Sequence, residues 1–167
     1  YLETIKISSS RIMFLDYFLN YNIINYLFVS LCFLILINGT NFIDGLDTLS
    51  LGYYLLITFF IYKLQLYELL SLSPLEISLL IIALFSAFIF NIFKVFFIGD
   101  SGSYLLGFIF GFIMLKIYAN NPDISPFFIA LLLWYPCFEN LFSIIRKAKL
   151  KRSPILPDTK HLHQLLF

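Results

Sequence analysis

Two amides and two carboxylates stand at every third position of Asn38-Gly39-Thr40-Asn41-Phe42-Ile43-Asp44-Gly45-Leu46-Asp47, between apolar runs at residues 26–37 and 49–62. Acidic groups at the edge of a lipid-soluble segment are expensive and mark function by default. An amide both donates and accepts hydrogen bonds, so this set beside a glycine suits a sugar, a base or a hydrated metal. A plainer reading has Asp47 capping the next helix, with Thr48 and Ser50 in its first turn. That accounts for one carboxylate and leaves Asp44 over.

A second constellation is Gly99-Asp100-Ser101-Gly102-Ser103. It is well built as a plain helix start. It could equally present free N–H groups to a phosphate, with Asp100 holding a Mg²⁺ that the phosphate shares. Asn91 and Lys94 precede it, and Lys94 reads more simply as an anchor at the span's end. The tail holds both histidines, His161 and His163. Two imidazoles on a basic segment read either as a solvated tail or as a diphosphate clamp and acid–base pair. Too few further ligands stand near them for zinc. Glu139 and Asn140 follow Pro136 inside an apolar run, with Arg146 two helical turns on as a candidate partner.

The elements that must position these groups are membrane spans. The chain is 60% hydrophobic and 20% aromatic, with 13% charge, against about 25% charge in soluble chains. Five blocks approach the ~20 apolar residues a bilayer core requires: residues 22–37, 49–67, 75–93, 103–119 and 126–145. Turn and cap residues separate them. Residues 1–20 read as a short strand or loop outside the bilayer. The expected fold is all-α, a polytopic bundle of about five spans forming one integral-membrane domain over residues 1–167.

Orientation follows from Arg146, Lys147, Lys149, Lys151 and Arg152, the densest basic cluster, because basic loops stay in the cytoplasm. Residues 146–167 then form a cytoplasmic tail. Counting back puts residues 120–125 outside, 94–102 inside, 68–74 outside, 38–48 inside and 1–20 on the extracytoplasmic side. All three polar constellations land on one face. No basic patch interleaved with aromatics points to nucleic acid. Cys32 and Cys137 lie in apolar runs without metal or redox spacing. The chain opens Tyr1-Leu2-Glu3-Thr4, without a signal peptide or Met, and is expected to be part of a longer protein.

The stretch from Asn38 to Asp47 resembles the Asn-x-x-Asn-x-x-Asp-Gly-x-Asp-Gly-Leu motif of the polyprenyl-phosphate N-acetylhexosamine-1-phosphate transferases, glycosyl transferase family 4. Phe90-Asn91 and Phe97-Ile98-Gly99-Asp100-Ser101-Gly102-Ser103 are similar to that family's Phe-Asn and Phe-Met-Gly-Asp-Ser-Gly-Ser elements. Pro136 with Glu139 resembles its Pro-x-x-Asp, and His161-Leu162-His163 its His-x-His-His. The resemblance covers nearly all of the chain from Asn22 onward. It implies transfer of a sugar-1-phosphate from a UDP-N-acetylhexosamine to polyprenyl (undecaprenyl) phosphate, with release of UMP. The work would be done at the cytoplasmic face of the inner membrane, in envelope glycan precursor synthesis, with Mg²⁺ (or Mn²⁺) required. It further implies Asp44, Asp47 and Asp100 as catalytic carboxylates and Asp100 with Asn41 at the metal. Asn38, Asn41, Asn91, His161 and His163 would bind substrate.

Departures from the family pattern are specific. Thr48 stands where Gly is usual and Gln164 where a third His is common, and residues 91–99 are about one residue out of register. An acidic pair after an earlier span is absent, so the chain is expected to be the later portion of a ten- or eleven-span enzyme. Whether this portion is active alone, and whether the enzyme dimerises, is left open. Two rival classes are a transporter module, with ionisable groups near the midplane on broken helices, and a non-catalytic scaffold retaining the fold.

Overall fold

The computed structural model describes residues 6–45, 48–121 and 123–149. Seven α-helices and no strand occur among them: α1 (Met13–Leu19), α2 (Asn22–Ile43), α3 (Leu49–Lys63), α4 (Pro74–Ile92), α5 (Gly99–Asn120), α6 (Pro126–Leu132) and α7 (Trp134–Lys149).

By length and apolar content α2, α4 and α5 can each cross a bilayer, with mean hydropathies of 2.0, 2.3 and 1.6. Twenty-two residues of helix reach about 33 Å, the thickness of the hydrocarbon core. Their outer faces leave Leu27, Leu31, Leu34, Leu79, Ile82 and Phe108 exposed, a surface that water would not tolerate and lipid would. The chain is a multi-pass membrane protein.

Three expected spans are redrawn. The first runs six residues further than expected, to Ile43, so the front half of the Asn/Asp stretch is helical rather than a loop. The second stops at Lys63, because Gln65 takes a left-handed backbone (φ 54°) and Leu66–Leu70 coils into a 3₁₀ turn. Fifteen residues give α3 about 22 Å, and the 3₁₀ turn with buried Tyr67 and Leu70 completes its path to the far end of the bundle. The last expected span is broken. α6 and α7 meet at 77°, and Pro136 sits in the first turn of α7, where its missing N–H costs nothing. Among the described residues three helices, or four with the bent pair counted as one span, are therefore long and apolar enough to cross, in place of five uniform spans.

The start of the chain also differs from a strand or loop. The Asp16 carboxylate accepts hydrogen bonds from Ser9 Oγ (2.8 Å), Ser10 N (2.5 Å) and Ser10 Oγ (2.5 Å), folding the serine run into a turn ahead of α1. Tyr118 of α5 binds the same turn, donating to Ser9 O (2.5 Å) and accepting from Ser9 N (3.0 Å).

α2 packs antiparallel against α5 and also against α7, and α3 packs antiparallel against α4. A Cβ built on Gly107 of α5 would lie 2.9 Å from Ile37 Cα and 2.8 Å from Thr40 Oγ1, and one on Gly111 would lie 3.0 Å from a Leu36 methyl. Ser103, Gly107 and Gly111 thus line one stripe of α5, and small residues at every fourth position let helix backbones approach closely in a membrane. α3 and α4 meet through Gly52 and Phe88. The centre is filled by Tyr54 stacked on Phe110 (centroids 4.4 Å apart) with Ile57, Ile61, Met114 and Ile117. The buried Tyr54 hydroxyl is satisfied by Thr40 Oγ1 at 2.5 Å.

Candidate active site at one end of the bundle

The four antiparallel helices α2 to α5 bring the end of α2, the head of α3, the end of α4 and the head of α5 to the same end. On α2, Asn38 is exposed and its Nδ2 donates back to Leu34 O in its own helix at 2.7 Å. Asn41, three residues on, turns toward α5 instead. Its Nδ2 donates to Asp100 Oδ1 at 3.0 Å and to Ser103 Oγ at 3.1 Å. Ser103 Oγ in turn donates to Asp100 O at 2.9 Å. One amide therefore joins two constellations that are 59 residues apart in sequence.

Asp44 ends α2 and accepts a short hydrogen bond from Ser50 Oγ in the first turn of α3. The position at the head of α3 is held by Thr48, with a left-handed backbone (φ 71°) and no side-chain cap bond. Across from it, at the end of α4, Asn91 is buried. Its Oδ1 accepts from Thr48 N at 2.5 Å and its Nδ2 donates to Phe96 O at 2.7 Å. Gly99 opens α5 at φ +65° with open space around it, so glycine is needed there for backbone freedom rather than room.

Asn41, Asp44, Asn91 and Asp100 are thus gathered at one end, with Asn38 on the outer flank. Asp47, His161 and His163 lie outside the described residues. Glu139 is buried on α7 beside Asn140, whose Nδ2 donates to Ile35 O of α2 at 2.9 Å. Ser103 and Ser50, named in the sequence only as parts of helix starts and motif, contribute side-chain hydrogen bonds to the site. Ser103 was legible in principle, being one helical turn after Asp100 and so on its face. An apolar cavity of about 340 Å³ lies elsewhere, lined by Phe28, Cys32, Met114, Tyr118 and Cys137 in the half of the bundle away from Asp100. Its nearly unbroken apolar wall offers nothing to a phosphate.

Residues 1–118 match the sequence model of glycosyl transferase family 4. The chain belongs to that family. It is 30% identical over 153 residues to the decaprenyl-phosphate N-acetylglucosaminephosphotransferase of Mycolicibacterium smegmatis, a match covering 78% of this chain and 37% of that protein. Against the probable undecaprenyl-phosphate N-acetylglucosaminyl 1-phosphate transferase of Bacillus subtilis it is 34% identical over 135 residues, 77% of this chain and 37% of the relative. Against the undecaprenyl-phosphate alpha-N-acetylglucosaminyl 1-phosphate transferase of Thermotoga maritima it is 29% identical over 138 residues, 83% of this chain and 42% of the relative. This family 4 chain therefore spans about two fifths of the length of these relatives. No solved structure matches it.

The donor set of this family 4 site fits magnesium. Among the described residues no group of three or more His, Cys, Asp or Glu could cage a metal. Mg²⁺ needs less. It is commonly held by one or two carboxylates and completes its shell with water and phosphate oxygens. Asp100 is exposed, and of its two carboxylate oxygens Oδ1 accepts the Asn41 hydrogen bond. Asp100 would supply one hard oxygen; Asn41, the other expected ligand, donates its Nδ2 to that carboxylate.

Proposed function

We propose that the complete protein transfers an N-acetylhexosamine-1-phosphate from its UDP derivative to a polyprenyl phosphate, releasing UMP, at the cytoplasmic face of the inner membrane. An acceptor phosphate oxygen forms a bond to the sugar-bearing phosphorus while that phosphorus loses its bond to UMP. The obstacle is repulsion between two anions, so positioned charge and donors supply most of the catalysis. Bound Mg²⁺, held by Asp100, would neutralise charge on the diphosphate. Asn41 keeps the Asp100 carboxylate aimed by holding Oδ1. The neighbouring Ser103 fixes Asn41 in turn, and the N–H groups that open α5 face the same end of the bundle. A lipid acceptor accounts for a polar site at the rim of the spans.

The observation that carries this reading is the Asn41 bridge to Asp100 and Ser103, which makes a single site of two separate motifs. The test is UMP release by the full-length protein with a UDP-N-acetylhexosamine, polyprenyl phosphate and Mg²⁺. Asp100→Ala should lower it by at least about 100-fold, as loss of a charge-stabilising group does. Undiminished release from that variant would remove Asp100 from the mechanism. One observation favours a transporter module: Glu139 is buried on α7, one arm of the broken pair. That reading requires substrate flux across vesicles without UMP release.

A further inference from the structure

We infer that Asn91 is a positioning residue that clasps the two acidic segments to each other, rather than a substrate ligand. The inference rests on the transferase reading for its kinetic readout and on geometry alone for its structural one. Asn91 is 5% exposed at the end of α4, and both ends of its amide are turned into the protein. Oδ1 takes the N–H of Thr48, the residue that follows Asp47 and heads α3. Nδ2 takes hold of the carbonyl of Phe96, four residues ahead of Asp100. The same turn is tightened by backbone bonds from Val95 N to Phe90 O (2.9 Å) and from Lys94 N to Asn91 O (3.0 Å). One buried side chain therefore sets the approach of the Asp44 segment and of Asp100 together.

The Thr48 end of the clasp is under strain. A β-branched residue at φ 71° occupies a region that such residues rarely adopt, and glycine would enter it freely. The Asn91 bond to Thr48 N holds that conformation. This makes the two positions interdependent: the more freely residue 48 adopts the left-handed backbone, the less it needs Asn91. A residue that merely contacts substrate would show no such dependence on residue 48.

The test compares Asn91→Ala, Thr48→Gly and the double variant in the full-length protein, by steady-state kinetics and by thermal unfolding. Misplacement of catalytic groups by about 1 Å costs on the order of 100-fold. Asn91→Ala should therefore lower kcat between about ten- and a hundred-fold, with KM for the UDP-sugar within about three-fold, and should lower Tm. The double variant should regain most of the lost kcat and Tm. A rise in KM at constant kcat would make Asn91 a substrate ligand and overturn the proposal, as would a double variant no better than Asn91→Ala in both readouts. If Asn91→Ala fails to fold, recovery of a folded double variant supports the clasp and failure of both overturns it. If no variant, nor the wild type, releases UMP, the transferase reading falls while recovery of Tm in the double variant still upholds the clasp.

Discussion

Replacing Gly107 by alanine tests whether the α2–α5 contact sets the geometry of the acidic site. The new methyl would lie 2.8 Å from Thr40 Oγ1 and 2.9 Å from Ile37 Cα, and the latter is backbone that cannot rotate away. Reaching ordinary contact requires α2 and α5 to part by roughly half an ångström. Asn41 follows Thr40 directly, and its bonds to Asp100 and Ser103 at 3.0 and 3.1 Å would stretch to the limit of useful hydrogen bonding. Overpacking costs about 1–3 kcal/mol, and alanine returns about 0.5–1 kcal/mol of helix propensity, leaving a net loss of up to about 2.5 kcal/mol. Gly52→Ala is the control. Its methyl meets only a ring atom of Phe88, at 3.1 Å, which can swing aside, so the propensity gain of about 0.5–1 kcal/mol should survive. Thermal unfolding in micelles, with UMP release measured in parallel, reads both. Gly107→Ala should melt lower and work more slowly, and Gly52→Ala should melt at or above wild type. Equal melting of the two variants would refute the close-contact reasoning.

Tyr118→Phe should loosen the turn over Ser8, Ser9 and Ser10 by about 1–3 kcal/mol, two or three hydrogen bonds' worth. Faster amide exchange confined to residues 6–19 is the readout, and unchanged exchange would count against those bonds. Asp16 is held below its ordinary carboxylate range first by the Ser10 hydroxyl, then by the Ser10 backbone N–H and Ser9. Its contribution is therefore fully present above the unfolded-state pKa near 3.8 and is lost as pH falls through the lower folded-state value. Amide protection factors in that turn, corrected for the intrinsic pH dependence of exchange, should stay flat from pH 7 to about 5 and drop only below about 4, whereas Asp16→Asn should show the loosened turn throughout.

Much of the architecture was legible because lipid imposes length. Any stretch near 20 apolar residues had to be a helix, and α2, α4 and α5 lie where those stretches are. The boundaries failed where polar residues were read as loop. Asn38 and Asn41 stay helical because Gly39 and Thr40 between them are buried in helix contacts, which a sequence pattern does not display. The end of α3 depends on a left-handed Gln65, which nothing in an apolar run announces. The break between α6 and α7 did have a signal. Pro136 belongs in the first turn of a helix, so it implied a new start near residue 134. The stripe Ser103, Gly107, Gly111 was also readable by spacing alone. At the site, the pairing of the Asn/Asp stretch with Asp100 was legible from common sidedness. The inward-facing role of Asn91 was not, since its partners are backbone groups that carry no sequence signature.

That stripe on α5 works as a ratchet. With small residues every fourth position seated against α2, the next comparable seat is four residues away, about 6 Å along the axis. A displacement of that size would carry Asp100 wholly beyond the reach of Asn41. Partial engagement has no resting place, so the Asn41–Asp100 end of this bundle should be either fully assembled or entirely undone.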